Sequence, residues 1–155
     1  MTDLPMPVPA HPSETDVAAL LRTHLDLMRA ASPPESCHVM DPVSLVDAKA
    51  QLFALRADQD LLGICALVMI SPDHGEIKSM HTAAVARGRG VARALLRHVI
   101  GVARDAGVSR LSLETGSDDA LAPARALYLA EGFAECPPFG SYVVDPLSVY
   151  MTRLL

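Results

Sequence analysis

At Gly90 the apolar pattern of the chain changes period, and this change fixes the order of its elements. Upstream, two apolar runs, Gln51–Ala57 and residues 61–70, flank Asp58-Gln59-Asp60, and a third run over 75–82 follows the turn Ser71-Pro72-Asp73-His74-Gly75. Short runs bounded by turn residues predict an antiparallel meander. Downstream, Val91, Leu95, Val99 and Val102 share a face with Leu96, Ile100 and Ala103, while Arg93, Arg97 and Arg104 take the other. That is a helical repeat, and it predicts an amphipathic helix ending near Gly107. A strand over 109–115 follows, then a helix from about 120 to 131 with Pro123 in its first turn and Gly132 closing it. Short strands near 133–135 and 149–154 complete a series of helices packed on one sheet.

Ahead of the meander, residues 1–12 carry Pro5, Pro7, Pro9 and Pro12, which favour an extended arm or a weak edge strand over a helix. Ser13 is positioned to N-cap a helix running to about Ala30, which Ser32-Pro33-Pro34 ends. Asp41-Pro42 offers a cap and a first-turn proline for a short second helix through Ala48. At 155 residues, half of them apolar and a fifth charged, the chain is expected to fold as one domain, 1–155, with no disordered linker. Three widely spaced cysteines, Cys37, Cys65 and Cys136, imply neither a disulfide framework nor a zinc site, and no metal is expected. Cys65 reads as a small core residue. No basic leader precedes an apolar segment and no apolar run is long enough to span a bilayer, so neither a membrane nor export is expected and the predicted location is cytoplasmic.

The net charge of −5 argues against nucleic acid as the main partner. Charge is nonetheless segregated: no carboxylate lies between Glu76 and Asp105, where Lys78, Arg87, Arg89, Arg93, Arg97 and Arg104 all fall. Three of these arginines, Arg87, Arg89 and Arg93, crowd the start of the amphipathic helix, where the macrodipole is already positive. An anion would relieve that crowding, and Gly88 with Gly90 would let backbone amides approach a phosphate closely. A solvated, arginine-rich turn is the competing reading. No GxxxxGK[ST] occurs, and a dinucleotide fingerprint starting at Gly88 and Gly90 meets Arg93 where its third glycine belongs.

These motifs resemble the GNAT acetyltransferase superfamily, whose hallmark [Q/R]-x-x-G-x-[G/A] is matched by Arg87, Gly90 and Ala92 in ARGRGVA, followed at the expected interval by ALYLAEGF. The match is good over roughly residues 50 to 135. Weaker similarity to a small bacterial subgroup extends through MRAASPPESCHVMD and the tail FGSYVVDPLSVYM, segments that border the acceptor pocket in this reading. The resemblance implies an α/β fold: a mixed, mostly antiparallel twisted sheet of six to seven strands, helices on both faces, and the strand over 75–82 splayed from the strand over 109–115. It implies acetyl-CoA as co-substrate, with its pantetheine along Met80, His81 and Thr82 and its pyrophosphate on the amides of Arg87, Gly88, Arg89, Gly90, Val91 and Ala92.

The implied chemistry is direct transfer of the acetyl group to a primary amine of a small molecule or amino-acid-like acceptor. Tyr128 stands where the family places a tyrosine beside the thioester sulfur, as proton donor to the leaving thiolate. Glu76 is the first candidate base, because strand alternation sets it on one face with Lys78, Met80 and Thr82; pairing with a neighbour is the alternative role. The same alternation turns His81 away from Glu76 and makes it a packing residue. Glu114 is a candidate for binding a cationic acceptor, and Pro34, Ser36 and His38 for contacting it. Two features depart from the family: the proline-rich start, and Thr115, Gly116 and Ser117 where many members carry an asparagine. The other readings are a non-catalytic acyl-CoA-binding regulatory module and a nucleotide-binding oxidoreductase. A homodimer paired through edge strands or helices is compatible with the resemblance.

Overall fold

The computed structural model describes residues 3–155. Met1 and Thr2, the first residues of the expected arm, lie outside the described residues. Seven strands form one sheet: β1 (Val8–Ala10), β2 (Gln51–Ala57), β3 (Asp60–Ser71), β4 (His74–Thr82), β5 (Arg110–Gly116), β6 (Ala134–Glu135) and β7 (Ser148–Leu154). Their order is β1-β2-β3-β4-β5-β7-β6. Only β4 and β5 run parallel, joined by the helical crossover that parallel neighbours require; all other neighbours are antiparallel. The sheet is thus the mixed, mostly antiparallel one expected. A doubly wound nucleotide fold needs a mostly parallel sheet, and the oxidoreductase alternative falls with it.

Four α-helices cover the sheet: α1 (Thr15–Ala31), α2 (Pro42–Asp47), α3 (Val91–Asp105) and α4 (Ala122–Ala130). Alternation along β2 and β3 divides the core in two. Leu52, Ala54, Ile64 and Ala66 face α1 and α2, meeting Val17, Leu21 and Leu45. Phe53, Leu55, Cys65 and Leu67 point the other way, into a larger core with α3, Tyr128 and Phe133. Leu21 on one face and Leu95 on the other are both fully buried; each such leucine stabilises the fold by about 1.5–3 kcal/mol. Gly63 lets the first turn of α3 approach β3, because a Cβ there would stand 2.8 Å from Val91 Cγ1. No helix of the described residues is long and apolar enough to cross a membrane.

The proline-rich arm does contain an edge strand, three residues long, with Pro9 opposite Phe53. Ser13, however, does not cap α1. The position before the helix belongs to Glu14, which makes no side-chain cap, while the Ser13 hydroxyl pairs with His11 Nδ1 at 2.6 Å and the Glu14 carboxylate accepts the His11 amide. The turn after the arm satisfies its own polar groups first. Asp16 then ties the helix to β2 by two 2.9 Å contacts with Arg56, and this guanidinium holds its carboxyl below the usual range. Asp41 caps α2 as expected, accepting the Ser44 amide at 2.7 Å.

Candidate active site

The site begins where β4 and β5 part. They pair from His74↔Arg110 to Ile77↔Leu113 and no further. Beyond that point β4 continues to Thr82 against β3 alone, and β5 to Gly116 against β7 alone. Buried peptide groups need partners, so the facing edges of this V are suited to an extended ligand chain.

A bulge interrupts β4 inside the V. Ile64 pairs with His81 and Ala66 with Lys78, leaving Cys65 opposite both Ser79 and Met80, and Ser79 takes a φ of 53°. One extra residue reverses alternation. The expected face of Glu76, Lys78, Met80 and Thr82 is therefore split: Met80 joins the core on the α3 side, and His81 lies on the α1 side with Glu76 and Lys78. The expectation that His81 turns away from Glu76 is corrected by this bulge. His81 Nδ1 lies 3.0 Å from Nδ1 of His24, on α1. Burial lowers the pKa of both imidazoles, and for His24 burial, His81 and Lys78 together bring it to about 4.

The Arg/Gly turn opens onto a concavity of about 420 Å³. A short 3-10 turn, Ala84–Ala86, leads into Arg87, and Gly88 and Gly90 adopt φ values of 76° and 82°. Side chains rarely tolerate this left-handed conformation, which glycine adopts freely. No side chain caps the amides at the start of α3, which leaves them available to an acceptor from outside the chain. Thr82, Arg87, Gly88, Gly90, Val91 and Ala92 line the hollow together with Pro123 and Leu127. Arg89 is not among its lining residues. Nor is Arg93 uncompensated: its Nε lies 2.9 Å from Glu131, which also binds Arg97 at 2.9 Å and is held in the ionised form by Arg97 first and Arg93 next. Free amides, left-handed glycines and the Arg87 guanidinium fit the pyrophosphate of acetyl-CoA.

Tyr128, on α4, is 6% exposed. Its hydroxyl makes no hydrogen bond among the described residues. Burial pushes its pKa well up, reinforced by Cys65 and Glu114, so it carries its proton at neutral pH. Burial also raises the Cys65 thiol to about 12, as befits a core residue. Glu114 is the first residue of β5 past the last β4 pair; Ser148 Oγ donates to it at 2.7 Å, and burial raises its carboxyl above the ordinary value.

Glu76 is buried and already engaged. Tyr142 Oη donates to it at 2.5 Å, and Lys78 Nζ lies 3.7 Å away. Lys78 also donates to Tyr142 Oη at 3.0 Å and to the His38 carbonyl at 2.7 Å. The His38 ring meets Tyr142 edge-on, with centroids 5.0 Å apart. Pro34 opens the 3-10 turn Pro34–Ser36, and a hydrogen bond from Ser36 helps hold the Asp145 carboxyl below its ordinary range. The 33–41 segment is thus joined to β4 and the C-terminal loop, although Pro34 itself supplies only the turn. Tyr142, Ser148 and His24 are polar residues here that the sequence reading did not single out. The segment FGSYVVDPLSVYM signalled the region, but nothing in it marks which tyrosine reaches β4.

Residues 18–133 match the model of the acetyltransferase (GNAT) family. The chain is 41% identical to YedL, an uncharacterized N-acetyltransferase of Escherichia coli strain K12, over 94% of this chain and 89% of that protein. It is 38% identical to an IAA acetyltransferase of Azospirillum brasilense over 79% and 80% of the two chains. Its fold matches that of a GNAT family acetyltransferase from Elizabethkingia anophelis solved with acetyl-CoA bound, with a TM-score of 0.73 at 17% identity, over 99% and 100% of the chains. The splayed strands, the glycine turn and these likenesses agree: the chain belongs to the GNAT family and is an acetyl-CoA-dependent N-acetyltransferase.

Proposed function

We propose that the acceptor is a primary amine of a small molecule or amino-acid-like compound, acetylated directly. The observation that carries this reading is the pair of carboxylates, Glu76 and Glu114, at the V and facing a single lysine. Two acids and one engaged cation favour a ligand that arrives as an ammonium ion. Bound acetyl-CoA supplies an acyl group activated as a thioester. Amides from Arg87 to Ala92 hold its pyrophosphate, with Arg87 adding charge. Met80, His81 and Thr82 present the open edge of β4 to its pantetheine, and amides near His81 and Thr82 donate toward the carbonyl oxygen as negative charge develops there. Tyr128 carries the proton that the leaving sulfur needs, and the carboxylates accept the proton that the ammonium must lose. Cys65, a neutral thiol in the core, offers no nucleophile, in keeping with direct transfer. The proposed compartment is the cytoplasm.

The test is a panel of amines, amino acids and IAA, the last because a relative is named for it, with free-thiol detection of released CoA. Thermal unfolding with acetyl-CoA or NADH accompanies it. Acetyl-CoA is expected to raise the Tm, NADH to leave it unchanged, and a primary amine to release thiol. Stabilisation by acetyl-CoA with no thiol across the panel would instead favour a regulatory binding module.

A further inference from the structure

The two carboxylates at the V differ in where they stand and in what holds them. Glu76 is opposite Ser112, within the paired part of β4 and β5. One of its oxygens takes the Tyr142 hydroxyl, and Lys78 lies alongside. Its charge is therefore compensated before any ligand arrives. Glu114 follows Leu113, the last residue of β5 to pair with β4, and so stands where the strands separate. Ser148 is its hydrogen-bond donor, and among the described residues no basic side chain forms an ion pair with it. Tyr128, in the core shared with α3, is the hydroxyl whose pKa Glu114 helps raise; Glu76 is not among the groups acting on it.

We propose that Tyr142 locks Glu76 against Lys78 as a fixed wall of the acceptor site, leaving Glu114 as the carboxylate that receives the ammonium group of a cationic amine and takes its proton. This inference rests on the acetyl-transfer reading above. It also narrows the acceptor class. Among the described residues, the lysine at the site is bound to Glu76, Tyr142 and the His38 carbonyl, so it is not free to receive a carboxylate beside the reacting amine. Amines without a neighbouring carboxylate are preferred over the matching α-amino acids.

The proton balance is simple. The ammonium gives one proton to Glu114; its nitrogen then bonds to the acetyl carbon as the carbon–sulfur bond breaks. The second nitrogen proton replaces the one that Tyr128 gives to the departing sulfur, and Glu114 returns its own proton to solvent. The groups that bear on the Glu114 titration are the Ser148 hydroxyl on β7, His38 in the 33–41 segment, and Lys78 and Glu76 on β4, while Tyr128, Tyr142 and Tyr150 are hydroxyls whose own pKa Glu114 raises. Burial outweighs them and raises the carboxyl.

The test compares tyramine with tyrosine and phenethylamine with phenylalanine as acceptors for the full-length protein, with pH profiles for the wild type and variants. Acetyl-CoA-induced Tm shifts verify that each variant folds and binds its donor. Glu114→Gln is expected to lower kcat/KM for the amine by about 100-fold or more and to remove the acid limb of the profile. Tyr142→Phe is expected to raise KM by about fivefold, keeping kcat and the acid limb, because one hydrogen bond to a charged group is lost. Should Glu114→Gln fail to fold, Ser148→Ala reads the same group: losing the hydrogen bond that holds the Glu114 pKa down moves the acid limb to higher pH. An unmoved limb overturns the inference. It is also overturned, with acetyl transfer left standing, if Glu114→Gln keeps turnover within threefold, if Glu76→Gln removes the acid limb instead, or if the amino acids outcompete the amines. Release of thiol from none of the four compounds or the wider amine panel sinks the acetyl-transfer reading and this inference together.

Discussion

The two halves of β4 share a strand but not a role. From His74 to Ile77 it is hydrogen-bonded on both edges, and Ile77 is 4% exposed in the core. From Lys78 to Thr82 it keeps β3 and loses β5, takes a bulge and a left-handed residue, and carries Lys78 and His81. The cleft is thus made by withdrawing a neighbour from a strand rather than by adding a loop. Its floor is as well anchored as the sheet, which keeps Glu76 and His81 in place before a ligand arrives.

The sharpest way to test this contrast is to damage the paired half. Ile77→Ala should cost about 2–4 kcal/mol through lost burial and a residual cavity, lowering Tm by roughly 6–12 °C. A thermal scan in which Ile77→Ala matches the wild type would break the comparison. In the open half the expected effects fall on chemistry. Tyr128→Phe should lower kcat by about 100-fold, equivalent to about 2.7 kcal/mol, with acetyl-CoA affinity changed less than about twofold. Steady-state kinetics beside calorimetric titration would separate the two, and unchanged kcat would remove Tyr128 from proton transfer.

Smaller effects belong to the turn and to the imidazole pair. Gly90→Ala meets no atom within 4 Å, so its cost is conformational, about 1–2 kcal/mol. It should also weaken acetyl-CoA binding, seen as a reduced Tm shift with ligand. The smallest effect is in pH. The folded His24 pKa, about 4, lies below its ordinary 6.5, so unfolded chains bind the extra proton first. Its contribution is intact above pH 6.5 and is lost as the pH falls from there toward about 4, a loss of about 1 kcal/mol between pH 7 and pH 5.5. Urea titrations at the two pH values would measure it, and His24→Leu should shrink the difference by about that amount, leaving what His74, His81 and His98, also lowered by burial, contribute.

Much of the architecture was legible because local chemistry and fold agree. Gln51–Ala57 is a strand from end to end, Asp41 caps the helix that Pro42 begins, and α3 starts at the residue after Gly90. The glycine turn was legible for the same reason: only its own residues determine it. What escaped depends on partners distant in sequence. The bulge at Ser79 inserts a residue without any glycine or proline to mark it, so alternation misplaced His81. Arg93 read as uncompensated because its partner, Glu131, lies beyond the next strand at the end of another helix. Tyr142 and Glu76 are 66 positions apart, and no pattern along the chain joins them. Ser13 looked like a helix cap until His11 claimed its hydroxyl.

The proline in β1 bears on how copies of this protein can associate. Pro9 cannot donate to a further strand, and β1 offers only three residues at this rim of the sheet. Such a rim is a poor template for fibrils or for a continuous sheet shared between two molecules. Crowded solutions should therefore stay clear of aggregates seeded there, and any lasting association through this end would have to use helix surfaces instead.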